Sequence, residues 1–158
     1  MCDVASEVAK NHLDDDGNNS WPELLNFLFQ CANFPSNDMK DSALIMLTNV
    51  PGVFGNKQSR YLVAIKQLFQ QSINVPDSNV QVKAVKAICV FILHHDRVTE
   101  IQKHFTDLLP NMMRIINESL IAEEDDCLIK LLVGLAEKAP VFLRSQLSNI
   151  VEMCLRVI

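Results

Sequence analysis

The sequence predicts an all-α solenoid, a right-handed stack of antiparallel helix pairs, and three observations carry that expectation. Residues 78–93, SNVQVKAVKAICVFIL, form a helix whose interior is apolar on nearly every side, with only Gln81, Lys83 and Lys86 polar. Such a helix has to be covered by other helices on several faces. Residues 57–73 supply a neighbour with an ordinary amphipathic stripe of Tyr61, Leu62, Ile65, Leu68, Phe69 and Ile73, and Pro76-Asp77-Ser78 makes the turn between the two. Helix starts of the same kind then recur along the chain at intervals of about forty residues, the period of repeat arrays built from two or three helices per unit.

Size and composition set the frame. With 158 residues, 49% hydrophobic and 21% charged, the chain is long enough for a real core and too apolar for disorder. A net charge of −5 argues against nucleic acid or an anionic membrane surface as the main partner. Cysteines at 2, 31, 89, 127 and 154 show no C-x-x-C spacing, which fits thiols in a reducing compartment rather than a disulfide framework. No apolar run reaches membrane-spanning length and no secretory leader pattern opens the sequence, so a soluble intracellular protein is expected.

Taken in order, residues 2–13 read as the last turns of a helix, ended by Asp14-Asp15-Asp16-Gly17-Asn18-Asn19. Ser20-Trp21-Pro22-Glu23 is a capping box with proline in the first turn. The helix behind it turns Trp21, Leu24, Leu25, Phe27, Leu28 and Cys31 inward. Pro35-Ser36-Asn37 breaks the chain. A helix from about Asp38 to Val50 buries Ala43, Leu44, Met46 and Leu47, and Pro51-Gly52 stops it. The pair 57–73 and 79–94 follows, with Ser78 and Gln81 expected as a second capping box. A short extra helix over 97–105 precedes one over 106–122, where Pro110 is tolerable only near the start. Glu123 to Asp126 form an acidic N-terminal region for a helix over 127–138, ended by Pro140. A last helix begins near Leu143.

The spacing of the second helices matches HEAT or armadillo units, whereas TPR units are shorter and carry a Trp-Gly-Tyr pattern absent here. The expected units span 20–55, 56–105 and 106–140, flanked by 1–19 as the end of one repeat and 141–158 as the start of another. Each pair leaves an apolar side that only a neighbouring pair can bury.

With the repeats laid out, four blocks carry a resemblance. They are Asp16-Gly17-Asn18-Asn19-x-Trp21-Pro22-Glu23, Asn49-Val50-Pro51-Gly52-Val53-Phe54-Gly55, Lys103-His104-Phe105-x-Asp107-Leu108-Leu109-Pro110, and Phe142-Leu143-Arg144. In that order they resemble the N-terminal HEAT repeats of the importin-β family. The resemblance implies a nuclear transport receptor segment that binds Ran-GTP, cargo proteins bearing nuclear localisation signals, and nucleoporins, and that shuttles between cytoplasm and nucleus. It implies no cofactor and no catalysis.

Candidate sites reduce to one surface. Residues 12–23 imitate a calcium loop, with Asp14, Asp16, Ser20 and Glu23 at ligand positions 3, 5, 9 and 12 and Gly17 at the turn position 6. His12 stands where the first carboxylate belongs, and the capping box already accounts for Ser20 and Glu23. His94-His95-Asp96 with His104 and Cys89 does not make a zinc site, because adjacent helical histidines point apart; a solvated helix end is the simpler account. No nucleophile elbow, phosphate loop or dinucleotide fingerprint occurs. What is left is the edge of the second helices, Asn49, Lys83, Lys86 and Lys130. In a two-layer solenoid second helices line the concave side, where ligands are held, and the resemblance implies that Ran or cargo meets that edge. Lys66 is placed on the outer face.

Overall fold

The computed structural model describes residues 22–34, 36–52, 58–122 and 126–157. These hold nine α-helices: α1 (Pro22–Asn33), α2 (Asn37–Asn49), α3 (Gln58–Ile73), α4 (Ser78–His94), α5 (Thr99–Phe105), α6 (Leu109–Ile121), α7 (Cys127–Lys138), α8 (Pro140–Leu143) and α9 (Leu147–Val157). Two 3-10 turns, Thr106–Leu108 and Arg144–Gln146, lead into α6 and α9. There is no strand among the described residues. The acidic turn 14–19, the imitation calcium loop apart from its last two residues, and Trp21 lie outside them.

The helices sort into two layers. The second helices α2, α4 and α7 pack against one another in a row, and α1, α3, α5, α6, α8 and α9 form the other layer. Starts at Asn37, Ser78 and Cys127 are 41 and then 49 residues apart, longer than the TPR period of about 34. Short connections between α1 and α2 and between α3 and α4 make each pair antiparallel.

α4 is the centre. Its neighbours are α2, α3, α6 and α7, which is why its sequence is apolar nearly all round. Val80, Ala84, Val85, Ala87, Ile88, Cys89, Phe91 and Ile92 are buried. Phe91 forms a triangle with Phe69 of α3 and Phe105 of α5, all edge-on, with centroids 5.6–6.1 Å apart. Edge-to-face packing sets the electropositive ring rim on a neighbour's face. On the far side α7 packs on α4, with Gly134 opposite Leu93, whose methyls would lie 3.6 and 3.8 Å from an added Cβ, ordinary contact distances.

Several local expectations need correcting. α4 is capped by Asp77, whose carboxylate accepts from the backbone N–H of Asn79 and Val80. Ser78 is already the first helical residue. Gln81 does not close a capping box; it donates from Nε2 to the Val75 carbonyl at 2.7 Å. Asp at the cap satisfies two orphan donors with a charged acceptor, which a hydroxyl one residue later does not. Pro140 does not merely end α7. It opens α8, where its missing N–H costs nothing, so the last helix starts at Leu147 rather than near Leu143. The expected 106–122 helix loses its first turn to the 3-10 segment, leaving Pro110 inside the first turn of α6. Phe27 is on the exposed side of α1, while Leu28 and Cys31 are buried as expected.

Two glutamines hold the turns on either side of α4. Gln81 binds the Val75 carbonyl, and the buried Gln102 donates to the Asp96 carbonyl at 2.7 Å. Each reaches a carbonyl six residues back that the turn leaves without an intrahelical partner.

Candidate functional site

The expected binding edge lies on the row α2–α4–α7, and its members differ. Lys83 is half-buried and its Nζ lies 2.6 Å from Asp41 Oδ2 of α2. This pair ties two successive second helices across their seam. Each side chain keeps about a third or less of its exposure, so water screens the pair only partly. The other oxygen, Asp41 Oδ1, is buried and has no hydrogen-bond partner. Lys83 is thus a seam residue in this structure as well as a polar point on the edge. Lys86 and Asn49 are half-buried, and Lys130 on α7 is exposed.

On the other layer, Lys66 of α3 pairs with Asp107 in the 3-10 turn before α6 at 2.8 Å. The outer layer therefore has a cross-unit tie of its own, and Lys66 is not a neutral comparison point for the inner lysines. Neither partner was identifiable from sequence spacing, since Asp41 precedes Lys83, and Asp107 follows Lys66, by about a whole unit.

The histidines separate as their helical positions require, but not as a solvated end. His94 is exposed and faces Gly52, where an added Cβ would come within 2.8 Å of its Nε2. His95 is buried, tilted against Phe91 at 4.6 Å, with Nδ1 2.9 Å from the Phe91 carbonyl. Burial holds its pKa below the ordinary 6.5, against a smaller opposing pull from the Phe91 carbonyl. Burial likewise pushes the Cys89 thiol up to about 12, helped by nearby Cys127, so Cys89 is an inert core group. Among the described residues no three His, Cys, Asp or Glu side chains gather closely enough to hold a metal ion. Nor is any described helix long and apolar enough to cross a membrane.

The row carries polar side chains on each of its three helices, and a second layer braces it. The signal missed by sequence reasoning was Asp41: one carboxylate in a short polar helix, with nothing local to reveal its partner.

In a comparison with protein-family models, the family described as "IPO5-like, TPR repeats" matches residues 1–153. The match takes in every described element except the last turn of α9. The two-layer stack of helix pairs agrees with a repeat family of this kind, although the repeats here are longer than the name TPR implies. The chain belongs to the importin-5-like repeat family.

Proposed function

We propose that this chain is a binding segment of a nuclear transport receptor, whose second-helix row α2–α4–α7 receives Ran in its GTP form and protein cargo. The family match over residues 1–153 carries the reading. Supporting it is the row itself, with Asn49, Lys83, Lys86 and Lys130 distributed over three consecutive second helices. In solenoids such rows form the concave surface on which ligands lie. The chain acts by binding, without catalysis or cofactor, carries cargo with nuclear localisation signals past nucleoporins, and shuttles between cytoplasm and nucleus.

The lysines serve this role mainly as steering charges, which raise association rate more than they lower dissociation. The test is binding of the full chain to Ran loaded with GTP or with GDP. A preference of about tenfold or more for the GTP form is expected, corresponding to about 1.4 kcal/mol. Equal binding to both forms, or none to either, would leave a helical-repeat scaffold with other partners. Lys86→Glu/Lys130→Glu should slow association with an acidic partner and flatten its salt dependence. Lys83 is tested separately, by exchanging Lys83 and Asp41, because single reversal would set two carboxylates against each other at the seam.

A further inference from the structure

α6 and α9 are neighbours in the outer layer, and a groove of about 260 Å³ lies between them. Both of its walls are described helices. Met113 of α6 and Met153 of α9, each buried, form its apolar base. The rest of the lining is polar and rich in donors: Arg114 and Asn117 of α6 face it with Asn149, Glu152 and Arg156 of α9. Two guanidinium groups against one carboxylate make the groove net positive, in a chain whose net charge is −5.

Neither arginine is used up by its own helix. Arg114 donates to both oxygens of Glu118 from Nη1 alone, at 2.9 and 2.8 Å, and Glu118 does not line the groove. Arg156 donates to Glu152 Oε1 from Nη2 alone. The remaining guanidinium donors, Nη2 and Nε of Arg114 and Nη1 and Nε of Arg156, have no partner among the described residues. Both ion pairs are exposed and local to one helix, so they are worth little, and sharing these guanidiniums with another acceptor costs little.

Such a donor set suits a carboxylate, which a guanidinium grips through two parallel N–H bonds. Asn117 has no side-chain partner among the described residues. Asn149 gives only Nδ2 to Gln146 and keeps its carbonyl open. A carboxamide donates and accepts at once, and so matches the N–H and C=O of a peptide backbone. Buried methionines adapt to apolar side chains of varied shape. In an extended segment alternate side chains point the same way, so an acidic residue and an apolar one two positions away enter such a groove together.

We propose that the α6–α9 groove is a second binding surface, one that takes an extended peptide segment carrying Asp or Glu two residues from an apolar side chain. Arg114 and Arg156 hold the carboxylate, and Met113 and Met153 receive the apolar side chain. The groove belongs to the opposite layer from the α2–α4–α7 row, so its ligand makes no claim on Lys86 or Lys130.

The test titrates the isotope-labelled full chain with the peptide Gly-Ser-Glu-Ser-Leu-Ser-Gly, acetylated and amidated so that Glu supplies its only carboxylate. Amide shifts centred on α6 and α9 are expected, with a Kd of about 1 mM or tighter. Replacing the peptide's Glu by Gln, or its Leu by Ser, should weaken binding about fivefold or more. Arg114→Gln/Arg156→Gln should do the same with helicity unchanged by circular dichroism, whereas Lys86→Glu/Lys130→Glu should leave peptide binding intact. The peptide exchanges use the natural chain, so they decide even if the arginine variant is unstable. No shifts at several millimolar peptide, equal binding of the Glu and Gln peptides, or binding that survives the double arginine change in a folded chain would overturn the proposal. Ran binding is measured separately, so failure here leaves the transport reading intact.

Discussion

α4 and α9 are both amphipathic-to-apolar helices with similar residue types, yet α4 packs on four helices while α9 packs mainly on α6. Val85, Ile88 and Ile92 are fully buried, while Leu147, Val151 and Leu155 are more than half exposed. Position in the stack, rather than hydrophobicity, decides what an apolar side chain does. In α4 it holds the units together; in α9 it meets little of the described stack. Solenoid stability is a sum of neighbour interfaces, so equal truncations at the two sites should have very unequal effects.

Phe91→Ala gives the largest expected effect. It removes the shared vertex of the Phe69–Phe91–Phe105 triangle and should cost about 3–5 kcal/mol in urea unfolding. Leu155→Ala should cost less than about 1 kcal/mol in the monomer, because little burial is lost. If the two matched, the comparison would fail.

pH separates the helices next. His95 is held neutral by burial at the end of α4, so the unfolded chain binds a proton more readily than the folded one. Stability from this residue is intact above the ordinary 6.5 and falls as pH drops from there toward the depressed folded value. The slope in that window is at most about 1.4 kcal/mol per pH unit. Thermal melts across this range should show it in the natural chain and lose it in His95→Leu.

Buried and exposed amides make a finer test. Gln102→Ala leaves the Asp96 carbonyl unpaired beside α5 and should cost about 1–2 kcal/mol. Asn149→Ala breaks an exposed side-chain bond from α9 to Gln146 in the 3-10 turn before it and should stay within about 0.5 kcal/mol. The smallest pair of effects concerns charge. Lys83→Met should cost up to about 1 kcal/mol, and Arg156→Ala about half that or less. Raising salt should narrow the difference if screening is what separates them.

The helical period was legible because each second helix had to be apolar on several faces, and residues 78–94 announced that without any neighbour in view. The cores of α2 and α3 followed from the same periodicity. The start of α4 was legible to within one residue, but its chemistry was not: S-x-x-Q and Asp77 offered competing caps, and the charged acceptor won. α8 was hidden because proline reads equally as the end of one helix and the first turn of the next. On the binding edge, the lysines were visible as polar interruptions of an apolar helix. Their partners were not, since pairs such as Lys83–Asp41 depend on which helices the stack brings together.

The two 3-10 turns give the stack a mechanical asymmetry. α3 crosses its layer in 16 unbroken residues, whereas the stretches leading to α6 and α9 are each broken into a short helix, a tight turn and a longer helix. Hydrogen bonds in a 3-10 turn are poorer than those of an α-helix, so these two joints are softer than the unbroken α3. Were the stack to bend, Thr106–Leu108 and Arg144–Gln146 would yield before the unbroken α3 does.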